Sequence, residues 1–170
     1  MQNDRLKNRI ALITGASRGI GCAIAKRFAK EGAHTILTAR TVGGLEETDD
    51  NIRNISGSKA TLVPLDLTED GKIDQLGAAL YKRFGRLDIL VGNAGILGEL
   101  TPVNHLDPKT WDSIIALNVT ANYRLIRSMD PLLRASDAGR AIFVTSSAAS
   151  AFDPFWGGYA ASKAALEGLV

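Results

Sequence analysis

The sequence predicts an α/β fold, a doubly wound parallel sheet with helices on both faces. Three observations predict it. Short apolar runs alternate with amphipathic stretches at roughly 30-residue spacing, as in repeated βαβ units. The apolar runs do not alternate polar with apolar, as expected of strands covered on both faces. The first of them runs into a glycine-rich turn that opens a helix. Right-handed crossovers through such units give a Rossmann-type sheet.

Arg9-Ile10-Ala11-Leu12-Ile13-Thr14 reads as the first, buried strand. The first helix runs from Gly19 to Lys30, with Ile20, Ala23, Ile24, Arg27 and Phe28 at helical spacing and Gly32 as its stop. Ala33 to Ala39 is a second strand, and 42–56 a weaker helix carrying Leu45, Ile52 and Ile55. Ala60 to Leu65 is a third strand. Residues 69–84 form an amphipathic helix on Ile73, Leu76, Leu80 and Phe84. Leu87 to Val91 is a fourth strand, and 94–107 a loop marked by Gly95, Gly98 and Pro102. Asp107 caps a long helix to Leu133, with Pro108 at its first position. Ala141 to Thr145 is a fifth strand, and a last helix opens near Gly157.

Composition narrows the function. The chain has 170 residues, 45% hydrophobic and 22% charged, which fits one globular domain able to fold without disulfides or metal. Twenty basic against 18 acidic residues leave a net charge of +2 with no basic block, so no nucleic-acid partner is expected. No apolar run is long enough to span a membrane, and Met1 to Arg5 has no signal-peptide character. The single cysteine, Cys22, is expected in the core, and His34 and His105 lie too far apart to suggest a metal site. A cytoplasmic protein acting on small molecules is the expectation.

Two segments carry chemistry. Thr14-Gly15-Ala16-Ser17-Arg18-Gly19-Ile20-Gly21 joins the first strand to the first helix. Glycines there admit a sharp turn and the close approach of a pyrophosphate, while the helix N-terminus offers free N–H groups and a positive dipole end. The second is Tyr159-Ala160-Ala161-Ser162-Lys163. The four-residue spacing sets Tyr159 and Lys163 on one helix face. A free phenol, with a pKa near ~10, exchanges protons poorly at neutral pH, and a nearby ammonium favours its ionised form. Such a tyrosine can act as general acid/base. Ser146 and Ser147, at the end of the fifth strand, lie where ligand crevices open in such sheets, and a hydroxyl there can hold a carbonyl oxygen.

Together these segments resemble the short-chain dehydrogenase/reductase family. Its pattern T-G-x-x-x-G-x-G lies at 14–21, and Asp66 follows the third strand. Asn93-Ala94-Gly95 follows the fourth, Asn118 lies in the long helix, and a serine precedes the Y-x-x-x-K of Tyr159 and Lys163. The resemblance runs from Arg9 to Val170, with Gly92 standing where the family usually has a first asparagine. It implies an NAD(P)-dependent oxidoreductase interconverting an alcohol and a carbonyl. In that reading Tyr159 is the general acid/base, and Lys163 binds the nicotinamide ribose. Ser147 holds the substrate oxygen, with adjacent Ser146 the alternative. Asn118 supports a water-linked proton path to Lys163. Gly15, Ser17, Arg18, Gly19, Ile20 and Gly21 would hold the cofactor phosphates, Asp66 and Leu67 the adenine, and Asn93, Ala94 and Gly95 the adenosine ribose.

The second strand ends Thr38-Ala39-Arg40 with no acid to hold a ribose 2′-hydroxyl. Arg40, helped by Arg18, can clamp a 2′-phosphate, which predicts NADP(H), with NAD(H) the alternative. Phe152, Phe155 and Trp156 either wall an apolar pocket or pack internally. The resemblance also implies a sixth strand beyond residue 170 and a homodimer or homotetramer. The 170 residues are therefore expected to be one NAD(P)-binding domain, incomplete at its C-terminal end and poorly soluble or inactive alone. A non-catalytic dinucleotide-binding protein, or an inactive fragment of such an enzyme, is the rival reading; it would not need Tyr159 and Lys163.

Overall fold

The computed structural model describes residues 4–170; Met1 to Asn3, part of the segment read as lacking signal character, lie outside them. Five strands, β1 (Ile10–Thr14), β2 (His34–Ala39), β3 (Thr61–Pro64), β4 (Ile89–Gly92) and β5 (Arg140–Phe143), form one sheet in the order β3-β2-β1-β4-β5. All four pairings are parallel. The chain winds outward from β1 to β3, crosses back, and winds the other way through β4 and β5. That reversal opens a crevice at the carboxyl ends of β1 and β4, where ligands bind in doubly wound sheets.

The helices are α1 (Gly19–Lys30), α2 (Val42–Ser56), α3 (Lys72–Phe84), α4 (Pro108–Ile115), α5 (Ala121–Arg134), α6 (Ala148–Ala151) and α7 (Gly157–Leu169). One core layer joins Ala11, Ile13, Leu37 and Val91 of the sheet to Ala25 and Ala29 of α1 and Leu45 and Ile52 of α2. The other joins Leu12, Ile36 and Leu90 to Leu76 and Leu80 of α3 and Leu125, Met129 and Leu132 of α5. The alternation of Leu12 and Ile13 between the layers is the period-2 geometry of a strand covered on both faces.

Several sequence expectations are corrected. The α1 face in the core is Gly21, Ala25 and Ala29, with Ile24 and Phe28 half-buried at its flank. Ile20 is exposed. Small residues bring the helix axis close to the sheet, so the larger side chains lie beside the contact and not under it. Cys22 is half-buried, its Sγ 3.4 Å from Thr48 Oγ1. The helix expected from residue 69 begins at Lys72, because Gly71 adopts a left-handed conformation at its N-cap. The helix expected unbroken over 108–133 is interrupted by a π-helical turn at Ala116–Thr120. Asp107 caps α4 as expected, its carboxylate accepting from Thr110 N–H at 3.0 Å. A short helix, α6, follows β5, where the sequence predicts no helix before Gly157. His34 is structural: its Nε2 lies 2.9 Å from Thr61 Oγ1 and its ring packs against Phe84.

Candidate active site

The glycine turn begins where β1 ends. Gly15 has φ +63°, a left-handed conformation that favours glycine. Gly21 meets the same turn from α1: a Cβ there would collide with the Gly15 carbonyl oxygen and stand 2.6 Å from Asn93 Nδ2. Asn93 stitches the crossing together. Its Nδ2 donates to Thr14 O at 2.8 Å and Gly15 O at 3.3 Å. Thr14 Oγ1 accepts from the N–H groups of Asn93 and Ala94. Helix α2 braces the turn from outside, with Thr48 Oγ1 donating to Ala16 O at 3.0 Å.

Backbone therefore lines the end of β1. Helix α1 starts at Gly19 with no side-chain cap and no acid in its first turn, so its first N–H groups are free for an anion. The expected effect of Gly21→Ala is a loss of about 2 kcal/mol or more, because the methyl meets backbone that cannot yield. Thermal denaturation checks it; an unchanged Tm would show that the turn gives way.

Arg18 and Arg40 flank this turn, both exposed. Arg40 NH1 lies 3.9 Å from Asp66 Oδ2. Asp66 Oδ1 accepts from Thr68 N at 2.9 Å and from Thr68 Oγ1 at 2.7 Å, and the backbone bond leads in holding this carboxyl below its usual range. Leu67 beside it is buried.

The second half of the site is built around α7. Lys163 is 4% exposed, and its Nζ donates to Val144 O at 2.7 Å. Burial pushes its pKa down. Among the described residues no carboxylate pairs with it. A buried ammonium with one hydrogen bond keeps two donors for another partner. Its Nζ stands 5.7 Å from the centre of the half-buried Tyr159 ring, which also meets Trp156 at 6.0 Å.

Asn118 sits in the π-helical turn and is fully buried. Its Oδ1 accepts from Ile96 N, while its Nδ2 donates to Ile96 O and to Ser162 Oγ, each at 2.9 Å. A Cβ on Gly95 would stand 3.2 Å from Asn118 Oδ1 and 3.7 Å from Lys163 Nζ, so Gly95, Asn118 and Lys163 share one corner. Ser146 is half-buried, its Oγ accepting from Ala148 N at 3.2 Å, and Ser147 is exposed at the start of α6. Gly92 has no room for a side chain: a Cβ would press on the Phe143 ring and lie 2.7 Å from Asn122 Oδ1. Asn122 and Ser162 were not singled out in the sequence. Their signal was polarity at buried helix positions.

Phe152 and Phe155 do not pack internally. They are 88% and 57% exposed, and both have positive φ, at 57° and 71°. Bulky residues in that region are strained.

The sequence profile of the short chain dehydrogenase family matches residues 9–170. This chain belongs to that family. It is 36% identical over 171 residues to the uncharacterized oxidoreductase YciK of Escherichia coli K12, covering 99% of this chain and 68% of that protein. It is 33% identical over 165 residues to D-beta-hydroxybutyrate dehydrogenase of Rhizobium meliloti strain 1021, covering 95% of this chain and 63% of that enzyme. A Shigella flexneri 2a structure solved with NADP superposes with a TM-score of 0.95 at 37% identity, covering 98% of this chain and 71% of that one. The matched span thus includes the glycine turn, the Asn93–Ala94 segment bonded to it, and Lys163, whose Nζ faces Gly95.

Proposed function

We propose that this short chain dehydrogenase transfers hydride between NADP(H) and an alcohol–carbonyl pair, with Tyr159 exchanging the proton. The observation that carries the reading is Lys163: a buried ammonium with no carboxylate partner among the described residues, one helical turn from a half-buried tyrosine. Burying an uncompensated charge is unfavourable for stability, so function is the better account of it.

The residues present fit a nicotinamide dinucleotide. Bare backbone at Gly15, Gly19, Ile20 and Gly21, with Ser17 and Arg18 in the same turn, suits a pyrophosphate. Asp66, Leu67 and Asn93 to Gly95 would border the adenosine. The spare donors of Lys163 suit ribose hydroxyls. The cofactor, when bound, supplies or accepts the hydride. Tyr159 then donates its proton to the carbonyl oxygen, or takes one from the alcohol, with the Lys163 ammonium 5.7 Å from the centre of its ring.

A serine hydroxyl holds the substrate oxygen. Burial favours Ser146 over the exposed Ser147 for that contact. The Asn118 side chain is committed to Ile96 and Ser162, so its support of a proton path runs through holding the corner it shares with Lys163. A homodimer or homotetramer is the assembly that the family resemblance supports.

Arg40 carries the cofactor preference. Its guanidinium is free to swing from the loose 3.9 Å contact with Asp66 onto a 2′-phosphate. The NADP-bound Shigella flexneri structure supports the same choice. Fluorescence titration is expected to show NADPH bound at least about tenfold more tightly than NADH, and Arg40→Ala is expected to remove most of that preference. Equal binding of the two cofactors by the wild-type protein would count against NADP(H). Turnover is tested with a panel of aldehydes, ketones and alcohols.

A further inference from the structure

We infer that Ser162 is a positioning residue for Tyr159: its hydroxyl joins the Asn118 amide to the Tyr159 carbonyl and sets where the phenol stands. The inference rests on the proposed role of Tyr159.

Ser162 is fully buried between Tyr159 and Lys163 on α7. Its Oγ donates to Tyr159 O at 2.7 Å. Serines within helices commonly bond back to a carbonyl one turn earlier, and such a bond alone would be local. The second bond is not local. Asn118 Nδ2, 44 residues away in sequence, donates to the same Oγ at 2.9 Å.

The one hydroxyl proton and one lone pair thus serve two segments. The amide that donates is itself held on both sides by the Ile96 backbone. A planar amide with three fixed partners has no rotational slack. The loop after β4, the π-helical turn and the first turn of α7 are therefore locked to one another at Asn118. Lys163 has a separate anchor in Val144 O, beyond β5. The two residues of the reactive pair are held by different segments, the π-helical turn through Ser162 on the tyrosine side and the residue after β5 on the lysine side.

Removing the hydroxyl leaves one Asn118 N–H without an acceptor and frees the Tyr159 turn. The Lys163 anchor and the glycine turn stay intact. The expected consequence is slower proton transfer with unchanged cofactor binding.

The test uses the protein as expressed from its gene, with NADPH and a panel including nitrobenzaldehyde, cyclohexanone and an aliphatic diketone. Ser162→Ala is expected to lower kcat about tenfold, while the NADPH Kd from fluorescence titration stays within about twofold. Hydrogen exchange of the 157–163 amides in the NADPH complex is expected to quicken. Ser162→Thr, which keeps the hydroxyl, is expected to restore most of kcat; Ser162→Cys replaces it if the threonine variant does not fold. A lowered Tm with kcat unchanged would make Ser162 a packing residue and overturn the inference. A matching loss of NADPH affinity would place its effect in the cofactor site and also overturn it. Both outcomes leave the functional reading standing. Wild-type protein that binds NADPH yet turns over no member of the panel would overturn that reading, and the inference with it.

Discussion

Tyr159→Phe is expected to lower kcat by about two to four orders of magnitude, the range general acid–base catalysis supplies. NADPH binding is expected to stay nearly intact. The substitution removes one oxygen and keeps the ring that packs near Trp156 and Lys163. Lys163→Ala differs because the lysine does two things. It opens the hydrogen bond to Val144 O and removes the donors proposed for the cofactor ribose, so both kcat and cofactor affinity are expected to fall. Comparing kcat and NADPH Kd for the two variants separates proton transfer from binding. A Tyr159→Phe protein with near-normal kcat would sink the assignment of the phenol.

Much of this arrangement was legible in the sequence because its causes are local. A glycine spacing between a strand and a helix can be read directly, since a left-handed φ at Gly15 and a close crossing at Gly21 both favour that residue. A tyrosine and a lysine four apart share a helix face whatever the fold. The five parallel strands followed from apolar runs without alternation. What was not legible depends on tertiary partners. Nothing local marks Ala116–Thr120 as a π-helical turn, since no glycine or proline lies within it. The Asn118 bonds to Ile96 and Ser162 span 22 and 44 residues, and only the assembled sheet brings those groups together. The close approach of α1 through Gly21, Ala25 and Ala29 was hidden because hydrophobicity points to the larger Ile24 and Phe28. Ser146 is half-buried and Ser147, at the N-cap of α6, is exposed, a difference that their adjacency in the sequence does not reveal.

Asp88 is expected to be the most sensitive polar position for stability, at the end of the sheet opposite the crevice. Its carboxylate is fully buried and ties three segments. Oδ2 accepts from Ile10 N at 2.8 Å, and Oδ1 accepts from Ser136 Oγ at 2.6 Å. Arg9 and Arg86 add charge-assisted bonds at 3.1 and 3.4 Å. Asp88→Ala leaves the Ile10 N–H, the Ser136 hydroxyl and the Arg9 guanidinium without this acceptor. The expected loss is about 3–5 kcal/mol, or roughly 6–20 °C in Tm for a chain of this size. The effect is expected to depend on pH. Burial pushes the Asp88 carboxyl up, but the bonds from Ser136, Ile10, Arg9 and Arg86 together hold it below its usual range. A depressed carboxyl stabilises the fold above its unfolded pKa, near ~3.9, and the contribution is lost as pH falls through the folded value. The hydrogen bond from Arg5 holds Glu31 in the same way, against the opposing effect of its burial and with help from Arg27, at about 2. Its contribution fades over the same acid range, in wild type and variant alike. The stability gap between wild type and Asp88→Ala, followed by urea denaturation, is therefore expected to be constant near neutrality and to narrow below about pH 4. A gap that persists unchanged to the acid limit, or a Tm within about 2 °C of wild type, would show that the Asp88 charge does not hold the ends of β1 and β4 together.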